Sequence, residues 1–490
     1  MFDSNLDALF PLPSPPPSTK CPERLPGITH ETNLAVTKTL RENHVQRHAF
    51  INDQGFHNHI SHQILAVYAL GGAASLYNAI YKTQEPMTRP YTASPSTITK
   101  ETFNEHLGKL NYYDAYLLYF QRELEEKGAS ATIEEHIFSR AANFTGDALT
   151  RAMFDRFYAR AYHPLIFVGY GLEFGLLGLV AEGLAQTACH PLEATKYFTA
   201  SEFAALSEAG SSAVAQVTEK LSNLLLNSSA PAVPPKTSLG VHAFDIAARI
   251  LKDDRFSAAK LGLKPHLDPA GAIAHYEKVA DVLSADLLVM TEEWLPVGAD
   301  LDQKIEELSW LCTLLYGVTG WSANNDFNAD FFIMHVLTSS LFLPSFVEYL
   351  SPSSSVLLLR KHFITGVSWW IARGRPSLNI KEFYAGTSPD ATLEPAVPKP
   401  SLAPAGTTPN PWLALVERAI VHPDDHVVKV QRALLHYSKA YGGRGRGTFE
   451  DTALEGAEVV DGTLFVRVAQ LTAKRMGVEG TFWDFKGFFV

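Results

Sequence analysis

Cysteine is scarce in this chain. Only Cys21, Cys189 and Cys312 occur, far apart and with no C-x-x-C pair, which excludes a disulfide framework and a thiolate zinc site and favours a reducing, cytoplasmic setting. Basic clusters are missing too: the formal net charge is -11 with no Lys/Arg-rich run, so nucleic acid is not an expected partner. Long apolar runs are absent. The longest, residues 165–181, is interrupted by Glu173 and four glycines, which suits a buried core helix and not a membrane span. The first ten residues lack the basic stretch and apolar core of a secretory signal. The sequons at Asn143 and Asn227 therefore carry no glycosylation meaning.

Several catalytic motifs are also missing. There is no G-x-S-x-G elbow and no G-x-x-x-x-G-K-[ST] loop, which removes the common serine-hydrolase and phosphate-loop chemistries. Gly169-Tyr-Gly171 and the stretch 441–447 are glycine-rich but lack the strand, turn and helix context of a dinucleotide site. The second reads as a flexible turn.

What the chain does contain is helical periodicity. Residues 58–81, 103–127, 165–186, 200–226, 270–293, 301–316, 329–350 and 424–441 carry apolar side chains at three- and four-residue spacing. Strand-like alternation is scarce, and residues 462–468 are its best instance, still compatible with helix. The expected architecture is a large all-α body, in one piece or two lobes. Proline punctuates it at residues 11–30, 227–240 and 388–411; the first stretch is expected to be an extended arm laid on the body, the others loops. The division implied is an arm at 1–30 and a helical domain at 31–490.

Chemistry-bearing residues gather on the apolar sides of these helices. In Val421-His-Pro-Asp-Asp-His-Val-Val-Lys-Val430, His426 and Lys429 share a helix face with Val430, Ala433, Leu434 and Tyr437. Burying an unpaired ammonium costs several kcal/mol, so an inward lysine needs a reason. A neutral amine can act as a base or nucleophile, or take up carbon dioxide as a carbamate; the bland alternative is that the side chain bends out to water.

Phe56-His-Asn-His-Ile-Ser-His62 puts His59 and His62 on the apolar side of another helix, with His57 just before it. An H-x-x-H pair is a plausible metal half-site and a weak signal. His163 precedes Pro164, which predicts an extended backbone there. The glycines that follow it would admit a second helix or a flat ligand. Glu173 is either a partner of a metal-bound histidine or the mate of an arginine. His335 sits on a strongly apolar helix, with Thr338 one turn on. His362, among charges, and the pair His44 and His48, among polar residues, read as surface groups.

Taken in order, Phe-His-Asn-His-Ile-Ser-His (56–62), Tyr-His-Pro-Leu-Ile and Gly-Tyr-Gly-Leu-Glu-Phe (162–174), Ala-Glu-Gly-Leu-Ala-Gln (181–186), Met-His-Val-Leu-Thr-Ser-Ser (334–340), Ala-Arg-Gly-Arg-Pro (372–376) and Asp-Asp-His-Val-Val-Lys (424–429) resemble the questin oxidase-like family. Its fungal members open anthraquinone rings in polyketide pathways. The resemblance implies a mononuclear non-haem Fe(II) held by His59, His163, His335, His426 and a carbamate on Lys429 formed from carbon dioxide. It leaves His62 and Glu173 beside the metal as catalytic candidates, with His59 and His62 exchangeable.

The implied reaction is dioxygen-dependent opening of the central ring of an anthraquinone or its hydroquinone, giving a benzophenone-type product. Phe332, Trp369 and Trp370 are candidate pocket walls. NADPH, where needed, is expected to act as external reductant through a separate quinone reductase. The alternatives are a metal-free, NADPH-dependent Baeyer-Villiger oxidase and a non-catalytic polyketide-binding protein.

Overall fold

The computed structural model describes residues 6–200, 203, 240–389 and 409–489. The fold is all-α. Among the described residues the strands amount to one small hairpin, Phe144–Thr145 with Ala148–Leu149. The helices that matter for the site are α1 (His30–Gln46), α2 (Ile60–Ala69), α3 (Tyr113–Ile133), α4 (Ala159–Phe174), α5 (Leu177–Cys189), α6 (Pro269–Trp294), α7 (Leu301–Thr313), α8 (Phe331–Ser340), α9 (Pro352–Ala372), α10 (Asp425–Tyr441) and α11 (Leu464–Met476).

Four of these close a ring. Helix α2 packs on α4, α4 on α8, α8 on α10, and α10 back on α2. Facing side chains of such a bundle meet in a shared interior, where cofactor sites of helical proteins are built. Around the ring, α5 lies between α3 and α4, α6 backs α9, and α11 backs α10. Every residue of α9 from 354 to 372 is buried. A helix apolar on all sides belongs at the centre of a large core.

The N-terminal arm lies against this body. A helical turn, Leu6–Leu9, is followed by the fully buried Phe10. Ser14 N donates to Phe174 O at the end of α4 and Leu25 N to Ala69 O at the end of α2. Phe10 occupies the notch of Gly178, where an added Cβ would meet its ring carbons at 2.1 Å.

Four of the expected helices are broken. The 103–127 stretch opens with a short 3-10 turn at Phe103–His106 and is a continuous α-helix only from Tyr113. The 58–81 stretch stops at Gly71-Gly72 before a second helix, Ser75–Gln84. The 165–186 stretch turns at Gly175, whose φ of 67° ends α4 and lets α5 fold back against it. The 329–350 stretch bends by 43° between α8 and Leu343–Tyr349. Of residues 462–468, Gly462 and Thr463 form a turn and 464–468 are helical, the start of α11. The expected helix at 200–226 falls, beyond Ala200 and Phe203, outside the described residues, as do residues 227–239 and 390–408 of the two proline-rich breaks. Among the described residues, no single helix is long and apolar enough to cross a membrane.

Candidate metal centre

Each helix of the four-membered ring delivers one histidine to the interior. His59 sits at the N-cap of α2, His163 in the first part of α4, His335 on the second turn of α8 and His426 in the first turn of α10. Their rings form a closed square. Centroid separations are 4.9 Å for His59–His163, 4.9 Å for His163–His335, 5.3 Å for His335–His426 and 4.9 Å for His426–His59.

The two nitrogens of each ring have different fates. Three Nδ1 atoms are hydrogen-bonded from outside the square: His335 Nδ1 lies 2.7 Å from Phe331 O, His163 Nδ1 bonds to Arg160 O, and His426 Nδ1 lies 3.2 Å from Asp424 Oδ1. His59 Nδ1 lies 3.0 Å from Asp425 Oδ2, at ion-pair distance without hydrogen-bond alignment. The Nε2 atoms are left for the interior. Those of His59 and His163 face each other at 2.8 Å, while those of His335 and His426 are buried without a partner. An imidazole that donates Nδ1–H to a carbonyl or carboxylate presents a lone pair at Nε2, which is how metal-binding histidines are commonly held.

Local structure explains how the rings are aimed. Arg160, Ala161 and Tyr162 adopt left-handed backbone conformations (φ 52°, 55° and 66°), and His163, expected to be extended before Pro164, is instead part of the helix. Such a left-handed run costs about 1–2 kcal/mol per residue. It turns the Arg160 carbonyl towards His163 Nδ1, and Glu193 Oε2 accepts Arg160 N at 3.1 Å. On α8, the buried Asp330 caps the helix by accepting Phe332 N and Ile333 N, and Arg373 holds its other oxygen at 2.8 and 2.9 Å.

Burial keeps three of these imidazoles, His59, His163 and His335, neutral. It lowers His163 and His335 well below the ordinary histidine range, with neighbouring histidines and Lys429 adding to the effect. His59 falls to about 4 through burial and then Lys429, against the pull of Asp425. Neutral imidazole is the ligating form. Asp425 goes the other way: burial opposes its ionisation, but His426, Lys429 and His59 outweigh it and hold the carboxyl well below the usual carboxylate range.

Lys429 does point inward. Its side chain is 3% exposed, and Nζ lies 2.9 Å from Asp425 Oδ2 without hydrogen-bond alignment. His62 is fully buried beside the square, stacked on Tyr170 and on His59, with neither ring nitrogen partnered. The donor set fits a metal ion: His57, His59 and His163 bring one ligand atom each within 4.8 Å of one another, as do His59, Asp425 and His426, and the orphaned Nε2 atoms of His335 and His426 and the buried amine of Lys429 belong to the same cluster of side chains. His59, His163, His335 and His426 would hold the ion, and imidazole and carboxylate donors suit iron.

Glu173 stands apart. It lies ten residues beyond His163, about 15 Å along α4, and pairs with Arg432 of α10, the arginine alternative left open by the sequence. Four other expectations are corrected. His44 is buried, 2.6 Å from Glu182 and 2.9 Å from Gln121, and His48 is half-buried against Tyr113. His362 is fully buried and meets Ser339 at 3.0 Å. Phe332, Trp369 and Tyr276 stack into a core ladder at 4.6 and 4.5 Å, and Trp370 is fully buried with its indole N–H donated to Pro376 O, so these rings serve as core packing. The glycines of α4 and α5 receive helices and the arm: Gly169 takes Phe342 and Gly171 takes Val180.

Sequence reasoning passed over three neighbours. Asp425 lies in the first turn of its helix, where an acidic residue is ordinary and draws no notice. His57 stacks on His163 at 3.9 Å and places its Nε2 2.8 Å from His190 Nε2; His190 follows a helix end with nothing in the sequence to mark it. A separate surface groove of about 910 Å³, bordered by Trp321, Phe327, Arg418 and Lys474, contains none of the predicted residues.

Comparison with known proteins points the same way as the resemblance. The family model described as Questin oxidase-like matches residues 56–434. The chain is similar to Baeyer-Villiger oxidase ptaJ of Pestalotiopsis fici, 25% identical across 89% of this chain and 87% of the relative. It is similar to Oxidoreductase AflY of Aspergillus parasiticus, 28% identical across 84% and 75%. The questin oxidase of Aspergillus terreus is 24% identical across 82% and 79%. The square of histidines, the left-handed turn before His163 and the helix that carries His335 all lie inside the matched region, and the chain belongs to the questin oxidase-like family.

Proposed function

We propose that this protein is an oxidoreductase of aromatic polyketide metabolism that opens the central ring of an anthraquinone, or its hydroquinone, with dioxygen at a mononuclear non-haem iron. Relatives named questin oxidase and Baeyer-Villiger oxidase support the oxidative class and a small-molecule substrate. The observation that carries the iron reading is the square of imidazoles in which the Nδ1 atoms of His163, His335 and His426 are hydrogen-bonded, the Nε2 atoms of His335 and His426 are buried without a partner, and those of His59 and His163 face each other at 2.8 Å. When bound, the ferrous ion would supply the means to activate dioxygen.

The chain's own residues do the rest. His59, His163, His335 and His426 would hold the ion through their ring nitrogens, and burial of His335 and its neighbours on α8 and α9 excludes water from that side. Four neutral imidazoles leave a divalent charge uncompensated in a low-dielectric interior. Asp425 offsets part of it, and a carbamate on Lys429, formed from carbon dioxide, would offset more. His62, with two unpartnered nitrogens, is the group to hold or pass a proton beside the metal. Glu173 serves through Arg432 by fixing α4 against α10.

The product is of benzophenone type, formed by breaking the bond between a central carbonyl carbon and the adjacent ring carbon. The hydroquinone supplies the electrons, so NADPH acts earlier, through a separate quinone reductase. Metal analysis of the purified protein, with and without a chelator, tests this. About one iron per chain, with turnover lost on chelation and restored by ferrous ion, is expected. Full activity in a metal-free preparation would overturn the iron reading in favour of a metal-free, NADPH-dependent Baeyer-Villiger oxidase.

A further inference from the structure

The last described stretch, residues 481–489, lies beyond the matched family region and folds back across the histidine square. Main-chain bonds tie it down: Phe331 N donates to Asp484 O at 3.0 Å, Asp484 N to Ala329 O at 2.9 Å, and Phe488 N to Arg373 O at 2.9 Å. Arg373, already bonded to Asp330, also donates to Phe485 O at 2.7 Å. Between these anchors two aromatic side chains turn towards the site. Phe485 stacks on Phe331 at 4.7 Å, and Phe331 lies 4.5 Å from the His335 ring and 5.3 Å from that of His426.

Trp483 makes the more specific contact. It is buried, and its indole N–H reaches Asp424, with both carboxylate oxygens at 3.1 Å. Asp424 Oδ1 in turn accepts His426 N at 2.9 Å and faces His426 Nδ1 at 3.2 Å. The Asp424 side chain is 30% exposed and that of His426 10%. A carboxylate half in water can turn away, and an acceptor that turns away orients its imidazole poorly. The indole removes that freedom.

We propose that residues 481–489 form a positioning strap of the site, in which Trp483 fixes the His426 ring through Asp424. The proposal rests on reading the histidine square as a metal site. A merely covering role for the strap would make Trp483 and Phe485 equivalent, since both bury ring area. A positioning role separates them, because only Trp483 donates to the acceptor of a ligand.

The test uses the full chain and two variants, Trp483→Phe, which keeps a ring and loses the N–H, and Phe485→Leu. Ferrous ion affinity is measured by competition with a chromophoric chelator, and the nitric oxide adduct of the ferrous protein is recorded by electron paramagnetic resonance. Trp483→Phe is expected to weaken ferrous binding about 10–100-fold and to change the adduct spectrum. Phe485→Leu is expected to lower the melting temperature while leaving the affinity within about threefold, since it removes packing and no acceptor link. Parental affinity and spectrum in Trp483→Phe would overturn the proposal.

Should that variant not fold, Asp424→Asn breaks the same link while retaining a helix cap. A parent chain that takes up no ferrous ion would instead sink the metal reading itself. The strap is then judged by crystal structures of the parent and Trp483→Phe: a His426 ring turned away from Asp424 supports the proposal, and an unmoved ring overturns it.

Discussion

Lys304 and Lys429 are both buried lysines on helices, and their surroundings differ. Lys304, on α7, has a side chain 1% exposed and three acceptors: Glu307 Oε1 at 2.8 Å, Glu307 Oε2 at 3.1 Å and Val241 O at 3.2 Å. Glu307 is completed by Trp294 Nε1 and Ala243 N. Every donor and acceptor in that network is used. Lys429 has one carboxylate at ion-pair distance and no aligned hydrogen bond, and it adjoins two orphaned histidine nitrogens and the unpartnered ring of His62. A network closed on itself holds helices together. One left open among convergent donors is suited to receive something.

Substitutions can break this comparison. Lys429→Met is expected to cost the most in function, lowering turnover at least about 100-fold in a chain that still folds. Rescue by short-chain carboxylic acids would support the carbamate, and normal iron content with normal turnover would remove it. Lys304→Met should do the opposite. It strands Glu307 in the interior and is expected to destabilise the fold by about 3–5 kcal/mol, read as a lowered urea midpoint, while iron content per folded chain stays at the parental value.

Acidity probes the open cluster as a whole. His190 and His362 are lowered to about 3 and His59 to about 4, each chiefly by burial. The unfolded chain therefore binds more protons than the folded one between those values and 6.5, so stability is fully present above pH 6.5 and falls as the pH drops below it. Chelator-treated protein at pH 5 is expected to lose about 2 kcal/mol for each such histidine relative to pH 7.5, by urea titration at the two pH values. A flat profile would mean that these rings are hydrated. The smallest expected effect is at the arm: Gly178→Ala drives a methyl into Phe10 and should cost about 1–3 kcal/mol, with faster proteolysis of residues before 25 and unchanged metal affinity.

Much of the site was readable because helix periodicity is a local property. His59, His163, His335 and His426 each fell on the apolar side of their own segments, and the structure brings these four together with Lys429. What escaped notice did so for physical reasons. Helix α9 is buried on every side, so it has no amphipathic pattern to detect, and Arg360, Lys361 and His362 made it look exposed. His44 sits in a polar run yet meets Glu182 and Gln121, which are distant in the chain. Breaks at Gly175 and at 341–342 were missed because apolar residues continue on both sides of each turn.

The sequence by itself determined that the chain is helical, which residues face inward, and, through motif order, the family. Those are matters of residue type and spacing. Tertiary structure alone decided that four helices close a ring, that the Nδ1 atoms of His163, His335 and His426 are held while the Nε2 atoms of His335 and His426 are left free, that Asp425 stands against Lys429 and that Glu173 goes to Arg432. Each depends on groups far apart in the chain meeting at distances of about 3 Å, where hydrogen-bond geometry fixes which nitrogen carries a proton. No local pattern encodes that.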